Sequence, residues 1–305
     1  MMRAALLSAA ALLLAAPAAA QGLDLSRGGP ISVLADDGIE WRQTEKQVVA
    51  RGNARATREG VTVTADRLTA WYRPKPGAAP QPGQGAEAEA SEVYRLTAEG
   101  RVRIFTADEQ ATGDRAVFDV DEAVLVLTGR DLRLTTPKEQ ITAKESLEYW
   151  SQKRMAVARG GAAVTTQDAR RVGADTLVAY LAQAPAAGPT GGRAAANAAD
   201  RAGKLERVDA FGSVSVRTPT DTATGDRGVY VPELGVARLG GTVRITTRGN
   251  NQLNGSLATV NMKTGVARLE SARGDRVKGL IVPNDPAVRG STAQAPDPAP
   301  RALRP

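Results

Sequence analysis

Two short phrases alternate along this chain at a nearly constant spacing. One is an Ala-Asp or Gly-Asp phrase, such as ATGDRA at Asp114, and the other is a glycine followed by alternating apolar residues, such as GRVRI at Gly100. An aspartate follows a glycine after 14 or 15 positions, in the pairs Gly52–Asp66, Gly100–Asp114, Gly160–Asp175 and Gly212–Asp226. A glycine follows an aspartate after 15 or 16 positions, in the pairs Asp36–Gly52, Asp114–Gly129 and Asp226–Gly241. Such a spacing over most of a chain indicates a repeat architecture.

Two of the aspartate-to-glycine intervals are longer than the others. Asp66 and Gly100 are 34 positions apart, and Asp175 and Gly212 are 37 apart. The extra residues, 73–91 and 182–203, are rich in Ala, Pro and Gly, so we expect two flexible inserts. Because the inserts occupy equivalent places about 110 residues apart, the sequence predicts two similar β units. These units are residues 30–160 and 161–282, and a disordered tail follows at 283–305.

Apolar and polar residues alternate around each glycine. Leu96, Ala98, Val102 and Ile104 stand at every second position around Gly100, and the residues between them are polar or charged. This period of two is typical of strands with one dry and one wet face. Helical periodicity is missing after the N-terminal region, and only residues 143–154 are ambiguous. The sequence therefore predicts an all-β protein.

The aspartate phrase predicts a bend in the strand. After Asp66 the apolar positions shift by one, so Asp66 and Arg67 both point away from the apolar face. Two consecutive outward residues mark a β-bulge or corner, and an aspartate there can accept hydrogen bonds from the amides that the bulge frees. The glycine occupies an inward-pointing position of its strand and places no side chain there, which suits a sharp bend in a curved sheet. We interpret both phrases as corner-forming.

The N-terminus has the features of a secretory signal peptide, expected at residues 1–20. Arg3 precedes an Ala- and Leu-rich apolar run, and Ala18 and Ala20 provide the small residues of a cleavage site. A membrane anchor is the alternative, but the run is short for a bilayer span. We therefore expect a mature chain beginning near Gln21, exported to the periplasm.

The composition excludes several kinds of chemistry. The chain has no cysteine and no histidine, which excludes disulfides, the usual zinc and copper sites, and Ser-His-Asp or Cys-His catalysis. A formal net charge of +7 suggests an anionic partner, although an ordinary arginine-rich surface explains it equally well. Export to the periplasm argues against nucleic acid as this partner. We expect no cofactor and no bound metal.

The repeated aspartates admit a chemical interpretation beside the structural one. They could form a carboxylate ladder that binds calcium or cleaves a glycan. Calcium β-roll repeats are nonapeptides, however, whereas the period here is near 30. Glycosidases need one carboxylate pair with distinct pKa values, and a repeated corner gives no pair that differs. The structural interpretation is therefore preferred.

The apolar face of the strands is the remaining candidate for function. If the protein were a packed β-sandwich, this apolar face would form its hydrophobic core. Its many small residues leave room instead for a groove that takes acyl chains, while arginines on the outside meet phosphates. These small residues are Ala65, Ala98, Ala143, Ala174 and Ala210.

At residues 30–281, apart from the inserts, the chain resembles the LptA/OstA-like lipopolysaccharide transport proteins of the Gram-negative periplasm. The resemblance rests on the order and spacing of PISVLADDGIEW, VVARGNARATREGVTVTADRLTAWY, LTAEGRVRI and ATGDRAVFDVDEAVLVLTG, and on their echoes in the second half. The departures are the two inserts and the replacement of aspartate by Lys144-Glu145 in the middle repeat.

The resemblance implies an open, twisted β-jellyroll whose interior carries the acyl chains of lipid A. It implies head-to-tail self-association through unpaired edge strands, by strand addition. The implied partners are lipopolysaccharide, an inner-membrane-anchored LptC-like protein and the amino-terminal domain of an outer-membrane LptD-like protein.

We therefore predict a non-enzymatic bridge that carries lipopolysaccharide from the inner to the outer membrane. The alternatives are an exported glycan-binding β-solenoid and a carboxylate-dependent polysaccharide-degrading enzyme. The residues predicted to line the acyl groove are Val61, Val63, Leu68, Leu96, Val102, Ile104, Phe118, Leu125, Leu127, Leu132, Leu134, Leu177, Val214, Val216, Leu239, Val243 and Ile245.

Overall fold

The computed structural model describes residues 31–58, 60–75, 91–182, 205–219, 221–247, 251–261, 266–272 and 276–280, and the single residues 264 and 282. The expected signal peptide, most of both inserts and the expected tail lie outside these residues.

The described residues form eighteen β-strands in one sheet. Most lie in a stretch of alternating apolar and polar residues, as the sequence predicts, whereas residues 124–127 are apolar at every position. The strands are β1 (Ser32–Leu34), β2 (Gly38–Arg42), β3 (Gln47–Arg58), β4 (Val61–Pro74), β5 (Ser91–Phe105), β6 (Gln110–Asp119), β7 (Val124–Thr128), β8 (Leu132–Thr135), β9 (Glu139–Ala143), β10 (Ser146–Trp150), β11 (Met155–Thr166), β12 (Arg171–Leu181), β13 (Leu205–Arg217), β14 (Asp221–Val231), β15 (Val236–Thr247), β16 (Gln252–Asn261), β17 (Val266–Glu270) and β18 (Lys278–Leu280).

The strands form a ladder of antiparallel rungs. A rung is either one long strand or two short strands in line, and the two-strand rungs are β1 with β2, β7 with β8, β9 with β10, and β17 with β18. The part of each rung in line with β2, β7, β10 and β17 is the first half-sheet. The part in line with β1, β8, β9 and β18 is the second half-sheet. The all-β prediction is confirmed, and the ambiguous stretch 143–154 contains β10.

A bend runs through every long strand where the two half-sheets meet, and the glycine strand supplies its extra residue. Between β4 and β5 the register moves from Thr64 opposite Arg103 to Arg67 opposite Glu99, which leaves one more residue on β5 than on β4. The expectation of a bulge within the aspartate phrase is therefore corrected. Asp66 and Arg67 do point outward, but the extra residue belongs to the glycine strand. Only that strand has left-handed residues to absorb it, with φ +78° at Gly100 and +47° at Arg101.

At each of these bends an acidic side chain lies against the glycine of the next rung. A Cβ at Gly212 or at Gly241 would stand 2.1 Å from Asp175 Oδ2 or 2.0 Å from Asp226 Oδ2, respectively. The middle repeat keeps the arrangement, since a Cβ at Gly160 would stand 2.6 Å from Glu145 Cγ. We call a rung acidic if an acidic residue stands at its bend, and a glycine rung if a glycine stands there. The two kinds alternate from β1–β2 to β15. The Lys144-Glu145 departure therefore leaves the bend intact.

The sheet continues without a break through the middle of the chain. The predicted boundary at residues 160 and 161 lies inside β11, which pairs with β9 and β10 on one side and with β12 on the other. The division into two β units stays a prediction. Over the stretches that the structure describes, no helix has the length and apolar character needed to cross a membrane.

Candidate functional site

The inner face of the sheet is apolar in the part that flanks the bend. Strand register places its residues in four rows, two on each half-sheet, which run across the strands on either side of the bend. In the described rungs these rows contain no Asp, Glu, Lys or Arg. Residues of both half-sheets belong to one hydrophobic cluster that extends from Val61 to Leu269. The two inner faces therefore face each other across the bend.

The predicted lining residues lie on this inner face, with Val61 one inward position beyond the four rows and opposite Arg58. Eleven of them are buried: Val61, Val102, Ile104, Phe118, Leu125, Leu127, Leu132, Leu177, Val214, Leu239 and Val243. Five are half-buried and pack against the same cluster: Val63, Leu68, Leu96, Leu134 and Ile245. Val216 is also half-buried, in the row between Val172 and Ala223. Whether these residues contact a lipid stays a prediction.

Burial on the inner face decreases with distance from the bend. The rows next to the bend are mostly closed, as at Ala98 and Val102, which are 3% and 1% exposed. The outermost inner rows, which include Leu96, Leu134 and Ile245, are mostly half-buried. Two strands that diverge from a common bend would leave this pattern, because the space between them widens outward. The inner face is thus closed at the bend and open at the far ends of the strands.

The open region is interrupted between β5 and β8. Here the outermost inner rows are buried except at Leu96 and Leu134, because large side chains fill the space: Ile104 is 1%, Phe118 4% and Leu125 6% exposed. A Cβ at Gly113 would lie 2.9 Å from Leu127 Cδ1, so the small residue at 113 makes room for these large neighbours. We call the segment formed by Ile104, Phe118 and Leu125 the filled segment. Elsewhere the outermost rows present half-buried side chains.

Several inner-face residues of the middle repeat are not among the predicted lining residues. Ile141, Leu147, Tyr149, Val164 and Val172 all pack against the cluster. Their alternation was present, with Leu147 and Tyr149 on either side of Glu148, but the stretch 143–154 also suited a helix. Pairing of β10 with β7 and β11 settles the matter.

The carboxylates of the bend are held by residues of the neighbouring glycine rung. The amide of Arg130 donates to Asp114 Oδ2 at 3.0 Å and the amide of Thr242 to Asp226 Oδ2 at 2.9 Å, as the corner interpretation predicts. At Asp66 the donor is instead Arg101 Nε, at 2.8 Å. Ser256 has the same role in the weakest repeat, where its Oγ accepts from the amide of Ala272 at 3.0 Å. In the described ranges, no cluster of three acidic side chains could hold a metal ion.

Inward-facing carboxylates lie where hairpins close the second half-sheet, at Glu109, Glu139 and Asp221. Glu109 and Glu139 follow Thr106 and Thr136, whose amides donate to the glutamate carbonyl oxygens at 2.9 Å. Burial raises the pKa of both glutamates; a nearby Asp108 adds to the shift at Glu109, and Lys138 opposes it at Glu139. These groups mark the polar boundary of the apolar inner face.

The family model described as LptA/(LptD N-terminal domain) LPS transport protein matches residues 33–153 and 140–266. An uncharacterised protein of Rhizobium meliloti strain 1021 is 27% identical over 135 residues, which cover 44% of this chain and 68% of that protein. Among solved structures, LptH of Pseudomonas aeruginosa, the LptA homologous periplasmic component of the lipopolysaccharide transport device, is 12% identical. That match covers 85% of this chain and 99% of the other, with a TM-score of 0.19.

Proposed function

The chain belongs to the LptA/LptD N-terminal domain family of lipopolysaccharide transport proteins, and from this premise we propose that it is a periplasmic bridge component. In this proposal it holds the acyl chains of lipopolysaccharide on its inner face while the lipid passes from the inner to the outer membrane. The role is one of binding and guidance, without catalysis.

The observation that carries the proposal is the apolar inner face with its gradient of burial. A closed core would bury its outermost rows, whereas Leu96, Leu134 and Ile245 stay half-buried here. Half-buried aliphatic rows on two diverging half-sheets suit a long, flexible apolar ligand. Binding of an acyl chain there is favoured by a free energy of the order of 0.8 kcal/mol for each CH₂ group that leaves water.

The end rungs support head-to-tail assembly and the proposed partners. In the described residues β1 and β2 pair only with β3, and β17 and β18 pair only with β16, so each end offers free backbone groups. Trp41 is 58% and Val266 62% exposed at these ends. A further strand can add there. The strand would come from a second copy, from an LptC-like protein at the inner membrane, or from the amino-terminal domain of an LptD-like protein at the outer membrane.

Site-specific photocrosslinking in cells tests the lipid path. A photoreactive residue at Leu96, Leu134 or Ile245 should form adducts with lipopolysaccharide. The matched control is Val126, which pairs with Val117 and Glu148 in an outward row of the same sheet. Its neighbours in β7, Leu125 and Leu127, point inward, so Val126 reports on the opposite face of the same strand.

The result that supports the proposal is adduct formation at the three inner positions and none at Val126. Ile104, in the filled segment, should give a weaker signal than Leu134 in the same row, because its side chain is already enclosed by protein. Absence of lipid adducts at all inner positions, in a variant that is folded and exported, would contradict it.

A further inference from the structure

The outer face of the second half-sheet carries positive charge without compensating carboxylates. Strand register defines two outward rows on this face, in which mostly Thr, Ser, Gln and Asn separate exposed basic residues. Over the described strands these rows contain no Asp or Glu. None of their arginines makes an ion pair with a described residue. The arginines are Arg55, Arg103, Arg133, Arg171, Arg217 and Arg244.

The outer face of the first half-sheet has the opposite character. Several of its arginines pair with carboxylates on neighbouring strands, such as Arg51 with Glu40 at 3.0 Å, and Arg159 with Glu148 at 2.8 Å. Arg67 and Arg115 share Glu99, at 3.8 and 3.6 Å. Arg227 and Arg238, also on this face, make no ion pair with a described residue. Most arginines of the first half-sheet thus have a carboxylate partner, whereas those in the two outward rows of the second half-sheet have none among the described residues.

Arg171 and Arg217 form the most concentrated part of the uncompensated face. They stand directly opposite each other, at the start of β12 and the end of β13, and both are exposed. Like charges in directly opposed positions destabilise a sheet. An anion between them would remove this repulsion, and two guanidinium groups provide the paired donors that phosphate oxygens accept. The position lies at the open end of the strands, next to the outermost inner row.

We propose that this uncompensated face, centred on Arg171 and Arg217, binds the phosphate groups of the saccharide headgroup whose acyl chains occupy the inner face. The inference rests on the proposed function and names a second part of the same ligand. Adjacent strands rotate by about 20–25°, so the arginine rows turn with the groove and cannot lie together on a flat bilayer. Headgroups that emerge along the groove follow the same rotation.

Equilibrium binding with matched lipids tests this assignment. The full-length exported chain is titrated with phosphorylated lipid A and with lipid A from which phosphatase has removed the phosphates. The test variant is Arg171→Gln/Arg217→Gln. The control, Arg67→Gln/Arg115→Gln, removes the same two charges from the other outer face, and thermal unfolding verifies that both variants are folded.

We expect the Arg171/Arg217 variant to lose about tenfold in affinity for phosphorylated lipid A, equivalent to about 1.4 kcal/mol. Its affinity for the dephosphorylated lipid should stay that of the wild type, and the control should bind both lipids like the wild type. Equal wild-type affinity for the two lipids would overturn the inference, and so would an equal loss in the control. Inorganic pyrophosphate alone should bind much more weakly; binding as tight as that of the lipid would overturn assignment to a headgroup.

The same lipids separate this inference from the proposed function. If only the phosphate site is wrong, photocrosslinks at Leu96 and Leu134 persist with both lipids and the affinities no longer depend on phosphate. If the lipid path is wrong, the inner crosslinks disappear with both lipids.

Discussion

The Asp66 carboxylate lies against the α-carbon of Gly100 on the next strand, where a Cβ would stand 2.2 Å from Asp66 Oδ2. Gly100 also has a φ of +78°. A left-handed conformation costs an L-residue about 1–2 kcal/mol, and overpacking adds about 1–3 kcal/mol. We therefore expect Gly100→Ala to lower the free energy of unfolding by about 2–5 kcal/mol, measured by urea denaturation.

Gly60 provides the matched control for this substitution. Its φ is +83°, yet a Cβ there would meet nothing within 4 Å. Gly60→Ala should therefore cost only the conformational part, about 1–2 kcal/mol. An additional Asp66→Ala substitution should recover part of the loss at Gly100. Equal effects of the two glycine substitutions would refute the role given to the carboxylate.

Removal of a bend carboxylate should have a modest effect on stability. Asp226→Ala deletes the acceptor of the Thr242 amide and should cost about 1 kcal/mol, because the freed amide is near solvent and can bind water. Asp175→Ala should cost less, since its contact is the longer one from Ser213 Oγ at 3.3 Å. Thermal unfolding of both variants measures the difference. A larger loss at Asp175 would contradict this ranking.

Two residues of one inner row should respond differently to truncation. Ile104 is 1% exposed, so Ile104→Ala should leave a cavity and cost about 2–5 kcal/mol. Leu134 is half-buried, and Leu134→Ala should cost about 1–2 kcal/mol because less apolar surface returns to water. Chemical denaturation measures both. For lipid affinity we expect the reverse order, with the larger loss at Leu134.

Glu139 should make stability depend on pH in a defined direction. Burial raises the pKa of its carboxyl above the ordinary value of 4.5, so the folded state favours the protonated form. Stability contributed by that protonation is present below the ordinary pKa and is lost as pH rises through the raised pKa. Glu139→Gln should therefore be more stable than the wild type near pH 7, with the gain absent near about pH 3.

The control for this experiment is Glu122→Gln, a substitution at an exposed hairpin position that leaves the strand ends unchanged. This variant should show no gain in stability over the wild type at either pH. The measurement is thermal unfolding over a series of buffers. A gain for Glu139→Gln that does not change with pH would contradict the burial argument.

The sequence predicted the inner face well because strand alternation is a local property. The period of two assigned Leu96, Val102 and Ile104 to one face without knowledge of their partners. The position of the extra residue at the bend was harder to predict. Parity showed that Asp66 and Arg67 point outward, but the location of the extra residue depends on how β4 pairs with β5, which is 34 positions away at the glycine. The different burial of Ile104 and Leu134 depends on neighbours from several strands, so no local pattern contains it.

The charge asymmetry between the outer faces was beyond prediction for the same reason. A list of arginines does not tell which carboxylates stand beside them. Arg67 and Arg171 each occupy an exposed strand position, and only the register reveals that one is near Glu99 and the other faces Arg217.

The alternation of acidic and glycine rungs restricts how such a chain can change its length. Each rung pairs only with those before and after it, and nothing in the described ladder sets the total. Loss of one rung would bring two acidic or two glycine corners together and reverse the direction of all later strands. Loss of two, such as β13 and β14, would set Asp175 beside Gly241 and shorten the sheet by about 9.6 Å. Relatives of this protein should therefore differ in length by even numbers of rungs.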